Sequence, residues 1–158
     1  MYADFDFYRG LYGPDSITEA EYERLGWEAA RLIDKHTTGV DNVRKLRVAF
    51  PVDEEAAEAV RRCECALVNL LQRISAAERA GEASAQVNGA AVSGPVSSVS
   101  SGEESISYGK ASGAVSKAAE SVRDRSALLD FTVRDMLSGL QDANGVNLLY
   151  MGVYPCVL

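Results

Sequence analysis

Histidine occurs once in this chain, at His36, and cysteine three times, at Cys63, Cys65 and Cys156. One histidine leaves little for acid–base or metal chemistry, which draws on clusters of His, Cys, Asp and Glu. Three cysteines without framework spacing exclude a disulfide scaffold and fit reduced thiols. Long apolar runs are missing too, for no window approaches the roughly 18 residues that cross a bilayer. The opening "MYADFDFYRG" has neither the basic start nor the apolar stretch of a secretory leader. These absences lead to the expectation of a protein made and kept in the cytosol, away from membranes. Charge itself is absent from Ala83 to Gly102, within a chain whose formal net charge is −7.

What is present suits a folded domain. A chain of 158 residues is the size of one ordinary domain, and at this length roughly 70% of the unfolded surface is buried on folding. Apolar residues make up 47% and charged residues 25%, near the globular average. The acidic excess is spread evenly, with 11 basic and 15 acidic residues before position 81 and 5 and 8 after it. Neither half is basic, and gripping DNA relies on Lys and Arg to neutralise phosphates. Direct nucleic-acid binding is therefore disfavoured.

Three long amphipathic helices can be placed from periodicity and caps. In "DSITEAEYERLGWEAARLIDKHT", Thr18 stands three residues before Glu21, a capping box that satisfies orphan amides at a helix start. The helix runs from about Glu19 to His36. Tyr22, Leu25, Ala29, Leu32, Ile33 and His36 share its inner face, while Glu23, Arg31, Asp34 and Trp27 point away. Gly39 is expected to supply a left-handed stop. The second helix starts at Asp53, a good N-cap, with Glu54, Glu55 and Glu58 favouring the positive end of the helix dipole. Its stripe is Val60, Cys63, Leu67, Leu70, Leu71 and Ile74, each large aliphatic contributing roughly 1.5 to 3 kcal/mol on burial, and Gly81 is expected to end it. A third helix is read from about Ala114 to Leu140, with Val115, Ala119, Val122, Leu129, Val133, Met136 and Leu140 on one side and Gly139 and Asn144-Gly145 closing it. A short helix near Asp4 to Arg9 is anchored by Phe5, Tyr8 and Tyr12.

The expected fold is all-α: a small helical bundle of three long and one or two short helices, forming one domain. Its helical core covers about 1–82 and 112–141, and a flexible arm covers about 83–111. In "VSSVSSGEESISYGK", Gly102 suits a tight turn, and Glu104, Ile106 and Tyr108 alternate with Ser105 and Ser107 at the strand period of two, so a hairpin-like arm is favoured over coil. The tail, about 142–158, contains "VNLLYMGVYPCVL", whose β-branched and aromatic content suits an extended segment and whose Pro155 forbids a helix.

No catalytic constellation emerges, and no cofactor or metal is expected. His36 lies on an apolar helix face and reads as a structural residue. "CEC" sets two thiols about 200° apart around a helix, so they cannot chelate one ion; Cys63 is expected to be buried and Cys65 more exposed. Glu54 and Glu55 diverge, and helix-start charge accounts for them. "SYGKASG" lacks the spacing of a phosphate loop. The chain reads as no enzyme. Two features point outward instead. Trp27, opposite the core stripe, needs a cover, either the N-terminal aromatics or a neighbouring subunit. Leu148, Leu149, Tyr150, Val153 and Tyr154 crowd the tail, which either packs on its own bundle or serves a partner; the partner is favoured.

Taken in order, "YADFDFYRGLYG", "ITEAEYERLGWEAARLIDKHTTG", the helix with "CALVNLLQRI", "SSVSSGEESISY" and "LLYMGVYPC" resemble the small head-tail connector (adaptor, or head-completion) proteins of tailed phages and prophages. The resemblance covers nearly the whole chain. Ser98, Ser100, Gly102, Ser105, Ile106, Ser107 and Tyr108 match the family's serine-rich arm, whereas Val99, Ser101 and Glu104 depart from its usual Glu, Val and Tyr. Met151 stands where a basic residue is common, and the Ala/Ser/Gly stretch before the arm is longer than the family pattern.

The resemblance implies a structural virion protein at the head–tail interface, assembled in the host cytoplasm. Its copies would form a ring under the portal protein, extend the DNA channel and receive a stopper or tail-completion protein. DNA would pass without specific binding, which suits an acidic wall. Trp27, the arm residues Ser98, Ser100, Gly102, Ile106 and Tyr108, and the tail residues Leu148, Leu149, Tyr150, Val153 and Tyr154 would face neighbouring copies or the portal. The alternative from the residues alone is a small acidic helical regulatory or adaptor domain that dimerises through the Trp27 face and binds a host protein.

Overall fold

The computed structural model describes residues 1–86 and 112–155, and the side chains of 1–79 and 122–155. It contains five helices: α1 (Phe5–Tyr12), α2 (Glu19–Thr37), α3 (Lys45–Val48), α4 (Glu54–Gln86) and α5 (Ser112–Met136). No strand occurs among the described residues, and the fold is an all-α bundle in which α2, α4 and α5 pack on one another. The arm residues Ser98, Ser100, Gly102, Ile106 and Tyr108 lie outside the described residues.

The helix starts follow the caps. Asp4 accepts from the Phe7 amide at 2.8 Å, Thr18 from the Glu21 amide at 3.3 Å, and Asp53 from the Ala56 amide at 2.9 Å. The stops depart from expectation. Helix α4 continues through Gly81 to Gln86, because one interior glycine costs only about 1 kcal/mol relative to alanine and alanines surround it. Helix α5 ends at Met136 rather than Leu140, and Gly139 (φ 79°) and Gly145 (φ 74°) take the left-handed conformations of the turns that follow. Gly39 is not left-handed. It is needed because the backbone of Gly152 passes so close that a Cβ would strike its carbonyl oxygen.

The core gathers Tyr22, Leu25, Ala29 and Ile33 of α2, Val60, Cys63, Leu67, Val68 and Leu71 of α4, and Leu129 and Val133 of α5. The N-terminal aromatics close one end. Tyr8 packs on Tyr22 and Tyr12 at ring separations of 5.2 and 5.0 Å, and Phe5 on Tyr22 at 5.5 Å. Three side chains sit differently from the periodicity reading. Asp34 is buried, because Tyr2 and Arg47 fold over it. Cys65 is as buried as Cys63, and Glu64 between them is buried as well. Val122 is 65% exposed and lines a cleft of about 500 Å³ with Ile74, Ala77 and Leu128 between α4 and α5.

The tail turns back onto the bundle. Leu148 is fully buried and Tyr154 nearly so, while Leu149 is half-buried and Tyr150 and Val153 are exposed. The fold therefore takes Leu148 and Tyr154 into its own packing, against the expectation that they serve a partner. Three polar fastenings hold the segment. The buried Lys45 ammonium donates to the carbonyls of Asn147 (3.3 Å), Leu148 (3.1 Å) and Tyr150. Tyr154 donates its hydroxyl to Asp142 (2.6 Å) and its amide to Asp41 (2.7 Å), and the Val40 amide donates to the Met151 carbonyl at 3.0 Å.

Candidate functional site

Trp27 is the only tryptophan and is 60% exposed. It sits midway along α2 on the side away from the core, because Leu25, Ala29 and Ile33 take the inner face at helical spacing. The N-terminal aromatics that were candidates to cover it pack on Tyr22 instead. Trp27, Ala30, Arg31 and Asp34 of α2 line a groove of about 320 Å³ with Arg44 and Arg47, which α3 and its start bring alongside.

The groove is basic at its rim. Arg47 leans on Asp34 (Nε to Oδ2 3.4 Å), and the Tyr2 hydroxyl donates to the other oxygen of the same carboxylate. Burial, then the hydrogen bond and charge of Asp34, push the Tyr2 phenol well above its ordinary range. Asp34 is thus shared between two donors at the groove floor. Arg31 and Arg44 have no acidic partner among the described residues. Charge along the chain reinforces the contrast: residues 1–23 hold six carboxylates and one arginine, residues 24–50 six Lys or Arg and three carboxylates.

The chemistry available is recognition by an aromatic surface and guanidinium forks, which suit a carboxylate-bearing partner. Among the described residues no three His, Cys, Asp or Glu side chains gather as a metal site. His36 is buried at the end of α2 with Nε2 2.7 Å from Asp130 Oδ1, and Lys35 reaches the same oxygen at 3.3 Å, tying α2 to α5. Those contacts hold Asp130 below the usual carboxylate range, the His36 hydrogen bond contributing most.

The other buried ionisable groups serve the fold. Glu64 Oε2 accepts from the amides of Tyr2 and Ala3, both at 2.6 Å. Its position was legible in part, since residue 64 is four after Val60 and three before Leu67, on the same stripe. Burial pushes both the Cys63 and Cys65 thiols up to about 12, with the Glu64 charge adding to it. The thiolate is the reactive form, so in a Cys156→Ser variant neither thiol is expected to react with a disulfide reagent in the native state and both in denaturant. A fast-reacting thiol in the folded protein would contradict the burial of this pair.

Of the residues singled out beforehand, Trp27, Tyr150 and Val153 are surface groups, Leu149 is half-buried, and Leu148 and Tyr154 are internal. Arg31, Arg44 and Arg47 were not singled out as an interface; only the fold brings residues 44 and 47 beside α2. Comparison of the chain with protein-family models, with curated proteins and with solved structures returns no match.

Proposed function

We propose that this protein is a non-enzymatic assembly component of a tailed-phage particle, acting as a head-tail connector whose copies gather in a ring under the portal. The observation that carries the reading is the length of α4 and α5, the two helices that flank in sequence the segment resembling the family's arm. Arg79 of α4 meets Glu21 in the first turn of α2 (3.8 Å), yet α4 continues seven residues further, about 10 Å at helical rise. Helix α5 begins at Ser112, 13 residues before Arg125 pairs with Glu28 and Glu78 (both 3.3 Å). The end of α4 and the start of α5 therefore both extend past the level where α2 starts. Helix ends that outrun α2 in this way are suited to meet a neighbour or the portal.

The acidic chain and its exposed apolar side chains favour the same reading. A conduit for DNA works best when its wall does not hold phosphates. Tyr150, Met151 and Val153 leave an apolar outer face on the docked tail, open to a partner without undoing the contacts of Leu148. Light scattering of the purified protein, alone and with the portal protein of the same phage, tests the proposal. Addition of many copies per portal is the expected result. A monomer or dimer that leaves the portal untouched would overturn it.

A further inference from the structure

We infer that the Trp27 face of α2 is a self-complementary docking surface on which a second copy of this chain lies antiparallel, related by a two-fold axis through Trp27. The inference goes beyond the ring reading and stands independently of it.

The argument begins with spacing. Glu23, Trp27 and Arg31 follow at intervals of four, so they form one outward row with steps of about 6 Å along the helix. All three are exposed, and neither Glu23 nor Arg31 has an ion pair among the described residues. The row reads acid, aromatic, base. Turned end over end about its middle, it meets its own complement, Glu23 opposite Arg31 on both sides and Trp27 against Trp27. The next step outward sets Glu19 opposite Lys35, both exposed, although the Lys35 ammonium also reaches Asp130 at 3.3 Å. A parallel arrangement would set Glu23 against Glu23 and Arg31 against Arg31, so charge selects the antiparallel one.

The surroundings suit this occupant. Ala20, which is exposed, flanks the row and leaves room for close approach, and Arg44 at the groove rim extends the basic end. An isologous contact uses the same patch twice and closes on itself, so it makes pairs and not chains. Nucleic acid is the competing occupant of a tryptophan among arginines. The buried Asp34 on the groove floor and the chain's formal charge of −7 oppose it.

Because Trp27 is the only tryptophan, its emission reports on this face alone. Sedimentation velocity and tryptophan fluorescence across a concentration series form the experiment. With rising concentration the mass should move from 17.0 kDa to twice that, with a blue shift of emission and at least a threefold loss of iodide quenching. Raising salt from 50 to 500 mM should weaken pairing about tenfold or more, as exposed charges are screened. Trp27→Ala should abolish it.

Charge exchange tests the register. Arg31→Glu and Glu23→Arg should each remain single alone, whereas an equimolar mixture of the two should pair, and the double variant in one chain should pair with itself. A mass that stays at one chain, pairing that persists unchanged in Trp27→Ala, or failure of the mixture to pair would overturn the inference. So would a single-stranded oligonucleotide that shields Trp27 while the protein stays single. Portal binding reads the functional proposal separately: pairs that ignore the portal defeat that proposal alone, and single chains that load onto the portal defeat this inference alone.

Discussion

Replacing Lys45 by methionine is expected to lower the unfolding free energy by about 3 kcal/mol, because one buried carbonyl and two part-buried ones lose a charged donor, at about 1–3 kcal/mol for a buried group and less where water can return. The side chain is fully buried in α3, and its ammonium reaches the carbonyls of Asn147, Leu148 and Tyr150. Burial lowers its pKa below the ordinary lysine value, while Asp142 and Asp41 pull it back up. The methionine stem fills the same channel, so the effect isolates the charge and its hydrogen bonds. Limited proteolysis provides the second readout: cleavage within 146–155 should precede cleavage of the bundle. Arginine should not rescue the variant, since a planar fork cannot replace a compact ammonium among three converging oxygens. Unchanged stability together with unchanged protection of the tail would show that the tail is held by apolar packing alone.

The second large effect is expected at Glu64. Glu64→Ala removes the acceptor of the Tyr2 and Ala3 amides and should cost about 2–4 kcal/mol in chemical denaturation. Glu64→Gln keeps an acceptor and should cost less, and it tests the charge as well. Burial raises the Glu64 carboxyl above its ordinary range, against the pull of the two amides and the N-terminal ammonium. The native state then holds that proton more tightly than the unfolded chain does. Its contribution to stability is complete below the unfolded value near 4.5 and declines as pH rises past it. Glu64→Gln should lack that decline, so the two stability profiles should converge or cross with rising pH above about 4.5. Parallel profiles would mean that Glu64 titrates normally.

Local signals carried much of this architecture. Thr18 with Glu21, Asp53 before a run of glutamates, and the spacing of Leu25, Ala29 and Ile33 state helix starts and faces within a few residues of chain, and α2 and the start of α4 follow them. Features that depend on distant chain were harder to read. Asp34 looked like a solvent-facing residue of α2 and is buried because Tyr2 and Arg47 reach it from elsewhere. Gly39 looked like a conformational stop and is instead a point of close approach to Gly152. Trp27 was legible as an outward residue because its own helix decides that, whereas the arginines beside it include two that only α3 delivers. The tail illustrates the limit most clearly, since its apolar residues state that something will cover them and not what.

Lys45 and the oxygens it holds are 102 to 105 residues apart in sequence, and that separation has a consequence for synthesis. While the chain emerges from the ribosome, α2 and α4 are available to pair long before residues 147–150 exist. During that interval the seat of Leu148 stands open and Lys45 remains hydrated. Contacts of such long range form late, after the local helices that they join. A nascent chain stalled before residue 147 therefore presents an uncovered apolar strip beside an unpaired cation, a surface that chaperones and proteases can distinguish from the finished protein.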